Sequence, residues 1–193
     1  NNIYKTKGLL KKVEPFSLKL LGNMESAEKS QLFFAPTPMW NVYDGFMPSL
    51  AFYNTTVPAR KFEFMVMPAY SFKTKDLNGV ANVAYNIFPK NGAFQKVSIG
   101  AQVKSFNFDY RESLRTQTGF EDTGLKYLKV QPSISVNFRK LPTSNFHQSA
   151  QFRSIWLNRE QTVFEQGDTT AYYVGNAFND IWLHEMSYTA EMR

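Results

Sequence analysis

The sequence predicts an all-β fold, an antiparallel up-and-down meander, and three observations predict it. Apolar and polar residues alternate: Leu128, Val130, Pro132, Ile134, Val136 and Phe138 occupy every second position, with Lys129, Gln131, Ser133, Ser135, Asn137 and Arg139 between them. No stretch carries the spacing of an amphipathic helix. Short polar segments, "KDLNG" at Lys75–Gly79 and "PKNG" at Pro89–Gly92, separate the runs, and their Asn-Gly pairs suit the positive φ of tight hairpins.

About nine runs follow in order, each with a boundary error of a few residues. Ser17–Asn23 lies in a lead-in segment, residues 1–30, whose start from Lys5 to Lys19 is locally basic. Gln31–Trp40, Gly45–Thr55 and Phe62–Thr74 are rich in aromatic and β-branched residues, and Gly79–Phe88 starts at an Asn-Gly pair. In Phe94–Asp109, Val97, Ile99, Ala101 and Val103 alternate with Ser98, Gly100, Gln102 and Lys104, and Phe106, Phe108 and Tyr110 close the run. Tyr127–Lys140, Asn145–Arg159 and Asp180–Glu191 complete the set. Two stretches without clear alternation, Tyr110 to Lys126 and Glu160 to Asn179, read as long loops on one rim.

Strand length and alternation extend the prediction to part of a transmembrane, outer-membrane-type β-barrel spanning residues 31–193. Several runs exceed the soluble mean of about 5–6 residues and reach the roughly 9–11 that a tilted membrane strand needs. Long loops on one rim and short turns on the other fit that architecture. One face, with Val97, Ile99, Val103, Val130, Ile134 and Val136, is expected to meet lipid. The other, with Gln102, Lys104, Lys129, Ser133 and Asn137, is expected to line the interior. Trp40, Phe106, Phe108, Tyr110 and Trp156, near run ends, are expected at the membrane interfaces. Five prolines inside the runs oppose this expectation, because Pro36, Pro38, Pro48, Pro68 and Pro132 each remove a ladder donor. The competing architecture is a soluble, secreted or periplasmic β-sandwich that buries the same rows as an interaction module.

The 193 residues can bury a substantial core or close a barrel. Mean hydropathy is −0.38 although 16% of residues are aromatic, so apolar residues are dispersed among polar ones. The chain opens at Asn1 with no initiator Met or signal peptide and stops while a run continues, so a piece of a longer protein, incomplete at both ends, is expected. With no Cys, disulfides and thiolate metal sites are excluded. The net charge of +6 is spread along the chain, and no nucleic-acid partner is expected. "HEMSY" at His184–Tyr188 lacks a second His four residues after the first, and the other histidine, His147, follows a turn, so no metal site is expected. Glu121 with Asp122, and Glu160 with Glu165, read as solvating charges. Glycine-rich phosphate loops and nucleophile elbows are absent, so neither a catalytic residue nor a cofactor is expected in these residues.

Trp40 to Pro89 resembles the C-terminal barrel region of Bacteroidota proteins whose N-terminal part is an M1-family zinc metallopeptidase. The likeness rests on the Trp-Asn-x-Tyr-Asp-Gly-Phe-Met opening at Trp40–Met47, the Tyr-Asn before the turn at Tyr53–Pro58, the Lys-Phe-Glu that follows, and Lys75–Gly79. Tyr127–Gln161 and His184–Tyr188 extend it, so it covers most of the chain beyond about Gln31. The resemblance implies an outer-membrane location, lipid and other envelope proteins as partners, and an anchoring or scaffolding role. The family's HExxH and Gly-x-Met-x-Asn motifs are absent, so zinc and catalysis would belong to an upstream domain.

Overall fold

The computed structural model describes residues 16–20, 30–55, 60–139, 145–167 and 170–192. Among them every regular element is a strand: β1 (Phe16–Leu20), β2 (Ser30–Pro36), β3 (Met39–Asn41), β4 (Gly45–Met47), β5 (Leu50–Tyr53), β6 (Phe62–Tyr70), β7 (Leu77–Ile87), β8 (Phe94–Arg115), β9 (Phe120–Phe138), β10 (Phe146–Gln166) and β11 (Ala171–Met192). Nine strands form one sheet in the order β1-β2-β5-β6-β7-β8-β9-β10-β11, and β3 with β4 makes a separate hairpin. Short connections make sequential strands antiparallel neighbours. β1 departs from this, pairing parallel with β2. Among the described residues the sheet is open, with β1 and β11 at its edges.

Three features differ from the sequence-based expectation. The stretches read as long loops are strand: β8 runs on to Arg115 and β9 starts at Phe120, while β10 runs to Gln166 and β11 starts at Ala171. A hydrogen bond from Thr116 N to Gly119 O (2.8 Å) closes the β8–β9 turn. The two runs around residues 31–55 break into four strands at their prolines. Pro36 ends β2, Pro38 separates β2 from β3, and Pro48 separates β4 from β5. Asn78-Gly79 lies inside β7 rather than in a turn. The turn is 71–76, where Ser71 N donates to Asp76 O (2.9 Å) and Lys75 takes a φ of 57°. Leu21, Gly22 and Asn23 of the first run, most of the lead-in, and part of the Tyr53–Pro58 turn lie outside the described residues.

Most of the buried apolar side chains lie in one place, with Leu125 of β9 buried apart from them. Phe33, Ala35, Ala51 and Ala69, on one face of β2, β5 and β6, are buried with Met47 of the β3–β4 hairpin. Cross-strand pairs Phe33↔Tyr53 and Ala35↔Ala51 place the first three on one face. Asp44, Ser71, Asn78, Asn86 and Asn107 are buried polar residues. Against these few, 32 large hydrophobic side chains are exposed among the described residues. The sheet is therefore not organised around a central apolar core.

Candidate functional site

Register divides the sheet into an apolar and a polar face. Val97 pairs with Val136, Ile99 with Ile134 and Val103 with Val130, so the six residues expected to face lipid share one face of β8 and β9. β7 continues it through Ala81, Val83, Tyr85 and Ile87, and β6 through Phe62, Phe64 and Val66. On the other side it runs through Phe152 and Trp156 of β10 to Trp182 and Met186 of β11. The face is uncovered: Ile99 is 49% exposed, Trp182 63% and Met186 80%.

Aromatic side chains border this face. Trp156 and Trp182 meet at 6.2 Å between ring centroids, and the next pair along the strands is polar, with Asn158 Nδ2 donating to Asp180 Oδ1 (2.6 Å). Near the other border Phe94 and Phe138 lie 5.7 Å apart. Both borders slope across the sheet. From β6–β7 to β10–β11, one shifts by two rows, from Tyr70–Leu77 to the row of Trp156–Trp182. The opposite one also shifts by two, from the row of Ile87, which reaches Ala150–Tyr188, to Phe146–Met192.

The opposite face is polar over β7–β9. Lys104 pairs with Lys129, Gln102 with Gln131, Gly100 with Ser133 and Lys96 with Asn137, so the five residues expected to line an interior also share a face. On β10 and β11, Arg153 Nη2 meets Glu185 Oε2 at 2.6 Å on this face. Ile155↔Leu183 and Leu157↔Ile181 interrupt its polarity.

The β3–β4 hairpin is locked by one carboxylate. In its turn, Asn41 Oδ1 accepts from Tyr43 N (2.8 Å) and Asp44 N (2.6 Å), while Gly45 takes the positive φ of 68° that the tight reversal needs. Asp44 is fully buried. Its Oδ1 accepts from Thr74 Oγ1 (2.9 Å), Asn78 Nδ2 (2.9 Å) and Asn107 Nδ2 (2.6 Å). Its Oδ2 accepts from Asn41 Nδ2 (2.7 Å) and Asn107 N (3.2 Å). Burial alone raises the Asp44 pKa. The hydrogen bonds from Asn107, Asn41 and Thr74 outweigh burial and hold it below its ordinary 3.8. One anion thereby ties the hairpin to the 71–76 turn, β7 and β8.

Between the hairpin and the sheet lies a cleft of about 720 Å³, lined by Met39, Trp40, Val42, Tyr43, Phe106, Phe108 and Tyr127 among others. The aromatics expected at membrane interfaces therefore separate. Trp156 lies on the apolar face, whereas Trp40, Phe106 and Phe108 gather in the cleft. Tyr110 sits farther along β8, with the Lys73 ammonium 4.9 Å from its ring centre. Phe106 pairs with Tyr127 on the polar face, which the regular register of β8 requires before its bulge at Asn107/Asp109. Sequence reasoning missed Asp44, Asn78 and Asn107. The one local signal was the Tyr-Asp-Gly turn signature at Tyr43–Gly45.

His184 stacks on Phe152 (6.2 Å between centroids), and His147 lines a polar depression with Asn137 and Glu191. No group of three or more His, Asp or Glu side chains among the described residues is arranged to hold a metal ion. No described helix is long and apolar enough to cross a membrane, which says nothing of a crossing by strands. Comparison of the chain with protein-family models, curated proteins and solved structures gave no match.

Proposed function

We propose that this chain forms part of the wall of an outer-membrane β-barrel, with its apolar face against lipid and its polar face toward a hydrated interior. Its role is to anchor or scaffold: it holds an upstream M1-like zinc metallopeptidase, or an envelope complex, at the membrane surface. The observation that carries the reading is the uncovered apolar face that extends across β6–β11, interrupted on β10–β11 by the Ser154↔His184 pair. Water leaves such a face unstable, and lipid stabilises it.

The dimensions support a membrane crossing. From Leu128 to Phe138 the apolar row of β9 spans about 33 Å at roughly 3.3 Å per residue. A strand tilt of about 40° reduces this to near 25 Å, the height of an outer-membrane apolar band. Tilt can be judged independently from the sloping borders. Two rows are about 13 Å along the strands, and the four strand spacings crossed are about 19 Å, which gives a tilt of roughly 35°. A sandwich would need a second sheet over the apolar face, but among the described residues the only other sheet is the three-residue strand pair β3–β4. Closure would take further strands, or a partner chain, at the β1 and β11 edges.

The test compares Val136→Arg with Asn137→Arg in lipid, reading the heat-dependent gel mobility of a folded barrel. Val136→Arg, one row inside the Phe94–Phe138 border, should weaken folding by less than an arginine costs at the midplane, about 2–4 kcal/mol. Asn137→Arg should fold like the parent. Equal damage from both would reject the assignment of faces, and recovery of the native protein in a soluble fraction would reject the membrane reading outright.

A further inference from the structure

We infer that the polar face carries a binding site for a water-borne anionic amphiphile, a small molecule with an apolar body ending in a carboxylate or phosphate. The body would occupy the cleft under the β3–β4 hairpin, and the anionic end would meet Lys104 and Lys129. This rests on the cleft and on the charges beside it, and does not depend on lipid covering the opposite face.

The cleft has the size and lining of a small-molecule site. At about 720 Å³ it lies within the usual range for such pockets, and rings and methyl groups predominate among its walls. Trp40 and Val42, each 69% exposed, are not consumed by packing against the sheet. The Asp44 hydrogen bonds fix the hairpin that carries them, so one wall is positioned before any ligand arrives.

The charge beside the cleft is unbalanced. Lys104 and Lys129 pair directly across β8 and β9 on the same face as Phe106 and Tyr127, two residues, or about 7 Å, farther along the strands. Like charges placed opposite one another repel. Among the described residues neither lysine has an ion-pair or side-chain hydrogen-bond partner, and their lateral neighbours are Val80 and Leu157. Of the nearby acids, Glu185 is paired with the Arg153 cation, whereas Glu63, Glu160 and Asp44 accept from neutral donors and keep their charge. Asp44, whose charge reaches Tyr127, is the one beside the cleft, and Lys104, Lys129 and Arg159 outnumber it. Arg159 pairs with Tyr127, its guanidinium lies 5.5 Å from the Phe108 ring centre, and its buried Nε has no hydrogen-bond partner. An anion near these cations would relieve their repulsion, and an apolar tail would fill the aromatic cleft.

The experiment measures binding of octanoate, and of neutral octanamide, to the native protein, held in phosphatidylcholine nanodiscs where it is purified from membranes and in buffer where it is recovered soluble, with protein-free samples subtracted. Octanoate should bind at least about tenfold more tightly than octanamide, since charge-assisted contacts distinguish them. Lys104→Gln with Lys129→Gln should abolish that preference and leave octanamide binding unchanged. Lys104→Arg with Lys129→Arg should keep the preference, which guards against misfolding of the glutamine variant. Trp40→Ala should weaken both ligands. Equal binding of the two ligands to the parent chain would overturn the inference, as would a glutamine variant that still prefers octanoate. Displacement of octanoate by phosphatidylglycerol in the disc would assign the site to membrane lipid and overturn a water-borne ligand.

Discussion

Asp44 shows how one residue can fix a segment that has little packing of its own. Strands β3 and β4 are three residues each, far too short to persist as a free hairpin. A buried carboxylate without partners would be costly, but this one accepts from Asn41, Thr74, Asn78 and the Asn107 side chain and backbone. Asp44→Asn replaces an acceptor oxygen with a donor that faces other donors. It should cost about 2–3 kcal/mol and free the hairpin, read by the emission of Trp40 in a chain whose other two tryptophans are phenylalanine. The same latch is acid-sensitive. Because the folded pKa lies below 3.8, the stabilisation is complete above that value and is lost as pH falls through the folded pKa. The Trp40 signal of the parent should therefore change below about pH 4, and that of Asp44→Asn should not. Gly79 is constrained by backbone instead. With a φ of 150°, a Cβ there would lie 2.3 Å from Met67 O of the paired strand. Gly79→Ala should destabilise the β6–β7 pair by about 1–3 kcal/mol, measured as a lower urea midpoint.

At the level of the strands, Pro132 makes a similar point about donors. It sits inside β9 opposite Ala101 of β8, and the β9–β10 register skips Gln131 and Pro132 between Ser133↔Arg153 and Val130↔Trp156. The missing N–H explains an interruption in that ladder. Pro132→Ala should restore a donor and raise stability by about 1 kcal/mol, with the amides around Ser154 gaining protection from exchange. The rows around Pro132 were legible in the sequence because period-two alternation survives wherever the two faces meet different media. The outer parts of β8–β11 were not. Beyond Leu128 and Asn158 the strands continue with charged and polar residues on both faces, as in Arg111, Glu112, Glu121 and Asp122, so the alternation that marks a strand disappears while the ladder persists. The Asp44 site was hidden for another reason. Its partners lie up to 63 residues away, and only the folded sheet brings them together.

For the whole molecule, the decisive feature is that, among the described residues, no further strand pairs with either edge of the sheet. β11 spans 22 residues, pairs with β10 on one side, and presents apolar residues on both faces, with Trp182 and Met186 on one and Ile181 and Leu183 on the other. A long apolar edge of this kind is what natural sheets avoid unless another strand covers it. Amide exchange distinguishes the two conditions, because an edge strand bonds its neighbour through alternate residues only. In the chain folded alone, every second amide of β11 should exchange fast, while β8 and β9, paired on both sides, should be protected throughout their shared ladder. The proposed barrel predicts that in the intact native assembly the fast set becomes slow, since a closing strand would take up those N–H groups. Fast exchange at the same positions in the native assembly would mean that β11 is a true edge, and a closed barrel would then be impossible.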